Sequence, residues 1–205
     1  MIKRGFDIIC SVCGLAVLSP LLFCIACMIK VDDGGSVFYR GVRIGLMKKP
    51  FRIIKFRTMV MDAESVGGPS TADDDSRITR VGRFLRRYKL DELPQLINVL
   101  RGEMSFVGPR PEVKSEVDRY DPEWDVIFSV RPGITDLSSI VFRNEGKIIA
   151  TSGIRDAHEA YRRIIQPQKL ELQRKYALNH SFLLDIRIIF QTFLAVAGKH
   201  ENAME

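Results

Sequence analysis

The sequence predicts an α+β protein in which an N-terminal re-entrant membrane helical hairpin is joined to a mainly helical domain carrying one small β-hairpin. Three observations predict it. Phe6 to Ile29 is an almost unbroken apolar run, Ser36 to Met59 holds two β-rich stretches around a turn, and most of the remainder repeats its apolar residues at helical spacing. The expected boundaries are 1–31 for the anchor, 32–200 for the domain and 201–205 for a tail. With 205 residues, 46% of them hydrophobic, the chain can bury one ordinary core, which leaves little room for two full domains.

The apolar run is interrupted only by Asp7, Gly14 and Ser19-Pro20. At about 1.5 Å per residue it is long enough for a hydrocarbon layer of roughly 30 Å. It lacks the small-residue cleavage pattern of a signal peptide, so it is expected to stay attached as an anchor. Lys3 and Arg4 precede it, and Lys30, Arg40, Arg43, Lys48, Lys49, Arg52, Lys55 and Arg57 follow it. The positive-inside preference draws both flanks to the cytoplasm, which a straight span cannot satisfy. Pro20 cannot donate an intrahelical bond, so a bend is expected there, with the Ser19 hydroxyl covering freed backbone groups. A re-entrant hairpin on the cytoplasmic face therefore fits better than a bitopic helix with a proline kink. Cys10, Cys13, Cys24 and Cys27 form two Cys-x-x-Cys pairs, a spacing shared with zinc and redox sites. Their neighbours are hydrocarbon rather than a polar turn, so they read as small apolar filler.

Beyond the anchor, Ser36 to Arg43 and Phe51 to Met59 read as strands joined by the turn Gly45 to Pro50. Asp62 to Ser76, with Gly67-Gly68-Pro69 and Asp73 to Asp75, has no periodicity and is expected as a loop. From Ile78, the spacing of Val81, Phe84, Leu85 and Tyr88 predicts a helix decorated by Arg80, Arg83, Arg86, Arg87 and Lys89. A second helix starts near Asp91 or Glu92, since Pro94 is tolerated only in a first turn, and ends around Arg101-Gly102. Helical patterns follow over Pro111 to Tyr120 and Ala157 to Ile165, with Pro167 separating the latter from the next helix. Phe182 to Val196 is a broad apolar helix suited to the core or to a membrane interface.

The net charge of +6 suits polyanionic partners: nucleic acid, nucleotide phosphates or an anionic bilayer. Nucleic acid is disfavoured, because the chain has neither a reading element nor a basic face with stacking aromatics. The pair Asp91-Glu92 follows the arginine-rich helix and has two readings. In one, Asp91 caps a helix and Glu92 favours its positive end. In the other, a carboxylate there binds Mg2+ or attacks phosphorus, with Arg86, Arg110 and the metal offsetting the repulsion between anions. Lys55 and Arg57 share a face if their segment is a strand, and that face meets phosphate or solvent.

Several stretches resemble one family: Lys55-Phe56-Arg57-Thr58-Met59, Leu90-Asp91-Glu92-Leu93-Pro94-Gln95-Leu96, Asn98-Val99-Leu100, Gly102-Glu103-Met104-Ser105-Phe106-Val107-Gly108-Pro109-Arg110-Pro111, and Arg131-Pro132-Gly133-Ile134-Thr135. The chain resembles, over nearly its whole length, the bacterial sugar transferases, the small monotopic phosphoglycosyl transferases. That resemblance implies a re-entrant helix and a catalytic domain on the cytoplasmic face of the bacterial inner membrane. It implies Mg2+-dependent transfer of a sugar 1-phosphate from a UDP-sugar to polyprenyl (undecaprenyl) phosphate with release of UMP, as the first membrane step of a glycan pathway. By position, Asp91 is the implied nucleophile and Mg2+ contact, and Glu92 completes the dyad. Arg86 and Arg110 are implied to engage phosphate, with Lys55 and Arg57 in a basic motif nearby, where lysine is also found in place of Arg57. The sequence departs from the common pattern after Thr135, where it reads Asp136-Leu137-Ser138-Ser139. The alternative in another class is a membrane-tethered scaffold of a glycan pathway that has lost catalysis.

Overall fold

A computed structural model describes residues 2–63, 75–154 and 156–196. Most of the expected loop at Asp62 to Ser76, and the expected tail 201–205, lie outside the described residues. The protein is mixed and mostly helical, with short strand pairs in place of a large sheet.

The apolar run forms a single continuous 32-residue helix, α1 (Ile2–Asp33), with Pro20 inside it. Two distinct arms, as a hairpin would give, are not seen. Proline leaves the carbonyl four residues back without its usual donor. That carbonyl belongs to Ala16, and the Ser19 hydroxyl donates to it at 2.8 Å, so the helix continues through the proline.

One face of α1 follows the globular body. Lys3 donates to the Val107 carbonyl at 2.9 Å and to Asp185 at 2.6 Å, and Arg4 donates to the carbonyls of Val99 and Leu100. Asp7, the one acid early in the run, is buried and accepts from the Ser105 hydroxyl and the Phe106 N–H. Further along, Ile25 and Ile29 pack with Phe56 and Leu85. Each such buried aliphatic side chain contributes roughly 1.5–3 kcal/mol. The opposite face is bare hydrocarbon: Val17 is 77% exposed and Val31 86%. Cys13, Cys24 and Cys27 are exposed as well, with Cys10 partly so. The helix is long and apolar enough to cross a membrane.

Strands β1 (Phe38–Tyr39), β2 (Val42–Ile44), β3 (Pro50–Arg52) and β4 (Lys55–Phe56) make the expected hairpin, interrupted in the middle. Val42 pairs with Arg52 and Phe38 with Phe56, so both halves keep one antiparallel register. The interruption has a named cause. Asn98, fully buried, accepts from the Ile54 N–H at 2.9 Å and donates to the Arg52 carbonyl at 2.8 Å, taking over backbone groups between the two halves.

Helices α2 (Arg80–Arg87) and α3 (Gln95–Arg101) follow. Strand β5 (Ser105–Val107) then pairs in parallel with β6 (Gly133–Thr135). Gly108 sits where a Cβ would lie 2.1 Å from the Arg131 carbonyl oxygen, so the segment leaving β5 runs against the approach to β6 only because no side chain is there. The helix expected over Pro111 to Tyr120 is reduced to α4 (Lys114–Val117), and Pro122–Ser129 is a 3-10 helix. Helices α5 (Leu137–Val141), α6 (Glu145–Thr151) and α7 (Ala157–Ala160) are short. A π-helical turn, Tyr161–Ile165, leads from α7 directly into α8 (Gln166–Asn179). Pro167 therefore does not separate two helices: it occupies the first turn of α8, where its missing N–H has no intrahelical partner to lose. Helix α9 (Phe182–Val196) matches its expected range. It is divided between core and surface, with Ile188 and Asp185 buried and Leu183, Phe190 and Phe193 exposed.

Asn98→Ala strands the Ile54 donor and the Arg52 acceptor inside the protein. It is expected to lower unfolding stability by about 2–4 kcal/mol, measured by denaturant titration of the detergent-solubilised chain. A change under half that would mean that Asn98 does not hold the hairpin.

Candidate active site

The Thr79 side chain caps α2 by accepting from the Gly82 N–H at 2.9 Å. Gly82 has no room for a side chain: a Cβ there would lie 2.0 Å from the Thr58 carbonyl oxygen. This close approach lets Arg86 Nε donate to Thr58 Oγ1 at 2.8 Å. Helix α2 ends at Tyr88, and Lys89 adopts the left-handed conformation (φ 56°, ψ 23°), a common way of stopping a helix. The reversal feeds a 3-10 turn, Leu90–Glu92, that packs back on α2. Pro94, not Asp91, precedes α3, and no side chain caps that helix.

Asp91 is thus buried in a turn, and its Oδ1 has no hydrogen-bond partner among the described residues. The capping reading of this carboxylate is not what the fold uses. Burial pushes its pKa up and the neighbouring Glu92 charge adds to this, while Lys55, Lys89 and Arg86 pull it back toward the anion. Glu92 is in the opposite situation. Its carboxylate receives Lys55 Nζ at 2.9 Å and is also bound by the Arg110 guanidinium. Burial alone would raise its pKa, but Arg110 and Lys55 outweigh burial and hold it well below the usual carboxylate range. Glu92 in turn stabilises the Arg110 cation against the cost of desolvation.

The fold therefore brings together five of the six residues singled out in the sequence: Asp91, Glu92, Lys55, Arg110 and Arg86. Arg57 is not among them. Its guanidinium is bound by Asp33, at the end of α1, and donates to the carbonyls of Ser36 and Met59. Strand parity placed Arg57 beside Lys55, but β4 ends at Phe56 and the buried Arg57 side chain serves the junction with α1. Of the acidic triplet, Asp73 and Asp74 lie outside the described residues and Asp75 is paired with Arg77 at 2.6 Å.

Sequence reasoning missed three neighbours. A cavity of about 140 Å3 opens beside the dyad, lined by Arg43, Lys55, Gln95, Arg110 and Glu112 among others. Gln95 is 1% exposed and its Nε2 has no hydrogen-bond partner among the described residues. Glu112 accepts from the Tyr161 hydroxyl at 3.2 Å, and burial raises its pKa against the opposing charges of Lys169 and Arg110. The spacing of Asp91 and Gln95, four apart at a helix start, was the available signal.

The chain matches the bacterial sugar transferase family over residues 1–199. It belongs to that family. It is 38% identical to the exopolysaccharide production protein ExoY of Sinorhizobium fredii, over 95% of this chain and 84% of that protein. It is 36% identical to the UDP-N-acetylgalactosamine-undecaprenyl-phosphate N-acetylgalactosaminephosphotransferase of Aeromonas hydrophila, over 95% of this chain but 43% of that enzyme. The undecaprenyl-phosphate galactose phosphotransferase of Salmonella typhimurium is 43% identical over 70% of this chain and 33% of its own length. This sugar transferase chain thus spans less than half of the last two relatives.

Replacing Arg57 tests its place at the junction. Arg57→Gln leaves Asp33 without its guanidinium and is expected to cost about 2–3 kcal/mol, seen as a lower Tm in detergent. An unchanged Tm would mean that the clamp between α1 and the hairpin is dispensable.

Proposed function

We propose that the protein transfers a sugar 1-phosphate from a UDP-sugar to polyprenyl (undecaprenyl) phosphate, releasing UMP, at the cytoplasmic face of the bacterial inner membrane. The observation that carries this reading is the division of labour within the dyad. Glu92 is held by Lys55 and Arg110, while Asp91 Oδ1 is buried, unpartnered and beside Arg86. The printed activities of the Aeromonas and Salmonella relatives support the substrate classes.

In the first half-reaction Asp91 Oδ1 attacks the sugar-bearing phosphorus, a P–O bond to the aspartate forms, and the P–O bond to UMP breaks. In the second, an oxygen of the lipid phosphate attacks the same phosphorus. The aspartyl–phosphorus bond breaks and the free carboxylate returns. Lys55, Arg86 and Arg110 offset the charge of the diphosphate, without which two anions would not meet. Glu92 is a positioning residue in this scheme, fixing Lys55 and Arg110.

Mg2+ fits this site in one specific way. Among the described residues no group of three or more His, Cys, Asp or Glu is placed to hold a metal. The buried Asp91 carboxylate, one of whose oxygens has no hydrogen-bond partner among the described residues, would supply one protein ligand, since Mg2+ is commonly held by one or two carboxylates together with substrate phosphates. When bound, it would supply neutralisation of the diphosphate charge.

The same proposal makes α1 re-entrant. Its two ends, Lys3-Arg4 and Asp33, are tied to one globular body, and the bare face between them is apolar. Such a helix meets lipid without placing its ends on opposite sides.

Two outcomes follow. Asp91→Asn is expected to reduce UMP release at least about a thousandfold with Tm unchanged or raised, since a buried charge is removed. Wild-type protein with a UDP-sugar alone should gain the mass of a phosphosugar at Asp91, and chelation with EDTA should abolish turnover until Mg2+ is restored. Turnover by Asp91→Asn at the wild-type rate would end the covalent route. For the membrane, the four native cysteines are replaced by alanine and a single cysteine is placed at Ile2 or Ser36. Both should react with an impermeant maleimide in inverted vesicles and neither in right-side-out ones; reaction from opposite sides would make α1 a simple span.

A further inference from the structure

Gln95 lies four residues beyond Asp91 and lines the same cavity as Lys55 and Arg110, the two cations on Glu92, and its buried Nε2 has no hydrogen-bond partner among the described residues. A buried amide donor without a partner is destabilising unless something else supplies the acceptor. The cavity, about 140 Å3, is the size of one of about 150 Å3 that takes a single benzene ring. It therefore has room for one six-membered ring.

Three features decide which ring. Base recognition relies on stacking between two flat faces, and among the described residues no aromatic side chain lines this cavity to stack opposite the guanidinium of Arg43 or Arg110. A phosphate inside the cavity would meet the Glu112 carboxyl in its wall. A pyranose, whose hydroxyls both donate and accept, suits a wall that mixes a carboxamide, a carboxyl and cations, with Ile53 and Pro111 as its apolar parts. Glu112 already accepts from the Tyr161 hydroxyl at 3.2 Å, which fixes how its carboxyl faces the cavity.

We propose that this cavity receives the pyranose ring of the donor, with Gln95 Nε2 donating to a ring hydroxyl and Glu112 bonding another, so that Gln95 is a specificity-determining residue. The proposal rests on the donor being a UDP-sugar, and its test is chosen to be separable from turnover. Equilibrium binding of UDP and of UDP-glucose and UDP-galactose is measured by titration calorimetry on the full chain in lipid nanodiscs. Asp91→Asn protein serves in parallel, so that reaction does not intervene. Gln95→Leu should weaken the better-bound UDP-hexose roughly tenfold to a hundredfold, shrink the preference between the two epimers, and leave UDP affinity within about twofold. Its Tm should be unchanged or higher, because an unpaired buried donor has been replaced by hydrocarbon. Glu112→Gln should likewise spare UDP binding while altering the epimer ratio.

A parallel loss of UDP and UDP-hexose affinity would put Gln95 on the phosphates or the base and overturn the proposal. A marked fall in Tm for Gln95→Leu would overturn it too, making the side chain a structural part of α3. Absence of UMP release from the wild type, with the binding pattern as expected, would defeat the transfer reaction and leave this sugar site standing.

Discussion

Glu92 bonds two cations that arrive from different parts of the fold, Lys55 from the hairpin and Arg110 from the segment after β5. A carboxylate so placed fixes three pieces of backbone relative to one another and determines the charge felt by its neighbour. Because Lys55 and Arg110 keep Glu92 ionised, Asp91 sits beside both an anion and cations, and it is buried. Its charge is therefore poorly compensated by the protein alone. In the proposed reaction a diphosphate accompanied by a metal would change that balance.

The second constraint is the two-sided character of α1. Its inner face carries Lys3, Asp7, Ile25 and Ile29 in turn, a sequence of polar then apolar contacts that follows what the body offers: β5 and α8–α9 first, then Phe56 and α2. Asp7 looks out of place in an apolar run until Ser105 and Phe106 are seen to satisfy it. Arg57 closes the far end through Asp33, a few residues from Lys55. The segment that meets lipid and the segment that holds the Glu92 cation are thus successive parts of one chain, and the reaction proposed here requires a water-soluble donor and a lipid acceptor to reach one carboxylate.

Much of this was legible in the sequence where the signal is local. The hairpin followed from β-formers flanking Gly45 to Pro50, and its register survives an interruption that local sequence could not show, because the cause is Asn98 on α3. The ends of α9 were readable from its apolar spacing. Asp91 was harder: an acid before a proline near a helix start resembles a cap, and only the 3-10 turn imposed by Lys89 shows that no such cap forms. Arg57 was assigned by strand parity, a rule that holds only while the strand lasts, and β4 stops one residue earlier. Pro167 was read as a separator, whereas the π-helical turn before it brings the proline into a first turn. For α1, charge on both flanks argued for return to one side through a bend at Pro20; the helix instead runs on through the proline, with the Ser19 hydroxyl on the Ala16 carbonyl, and does not fold into two arms.

Among the described residues, three buried side-chain polar atoms lack partners: Ser11 Oγ, Asp91 Oδ1 and Gln95 Nε2. Each such group costs about 1–3 kcal/mol, a large amount against the marginal stability of a domain. Scattered defects of folding would have no reason to collect. Two of these three lie four residues apart, Asp91 in the 3-10 turn and Gln95 at the start of α3, where it lines a cavity walled by charged groups. One is an acceptor and the other a donor, and the ligand proposed above would meet the first with its phosphorus and the second with a hydroxyl. In the proposed reaction, a ligand that relieved the unmet groups at that spot would join the carboxylate that attacks it to the amide that recognises it.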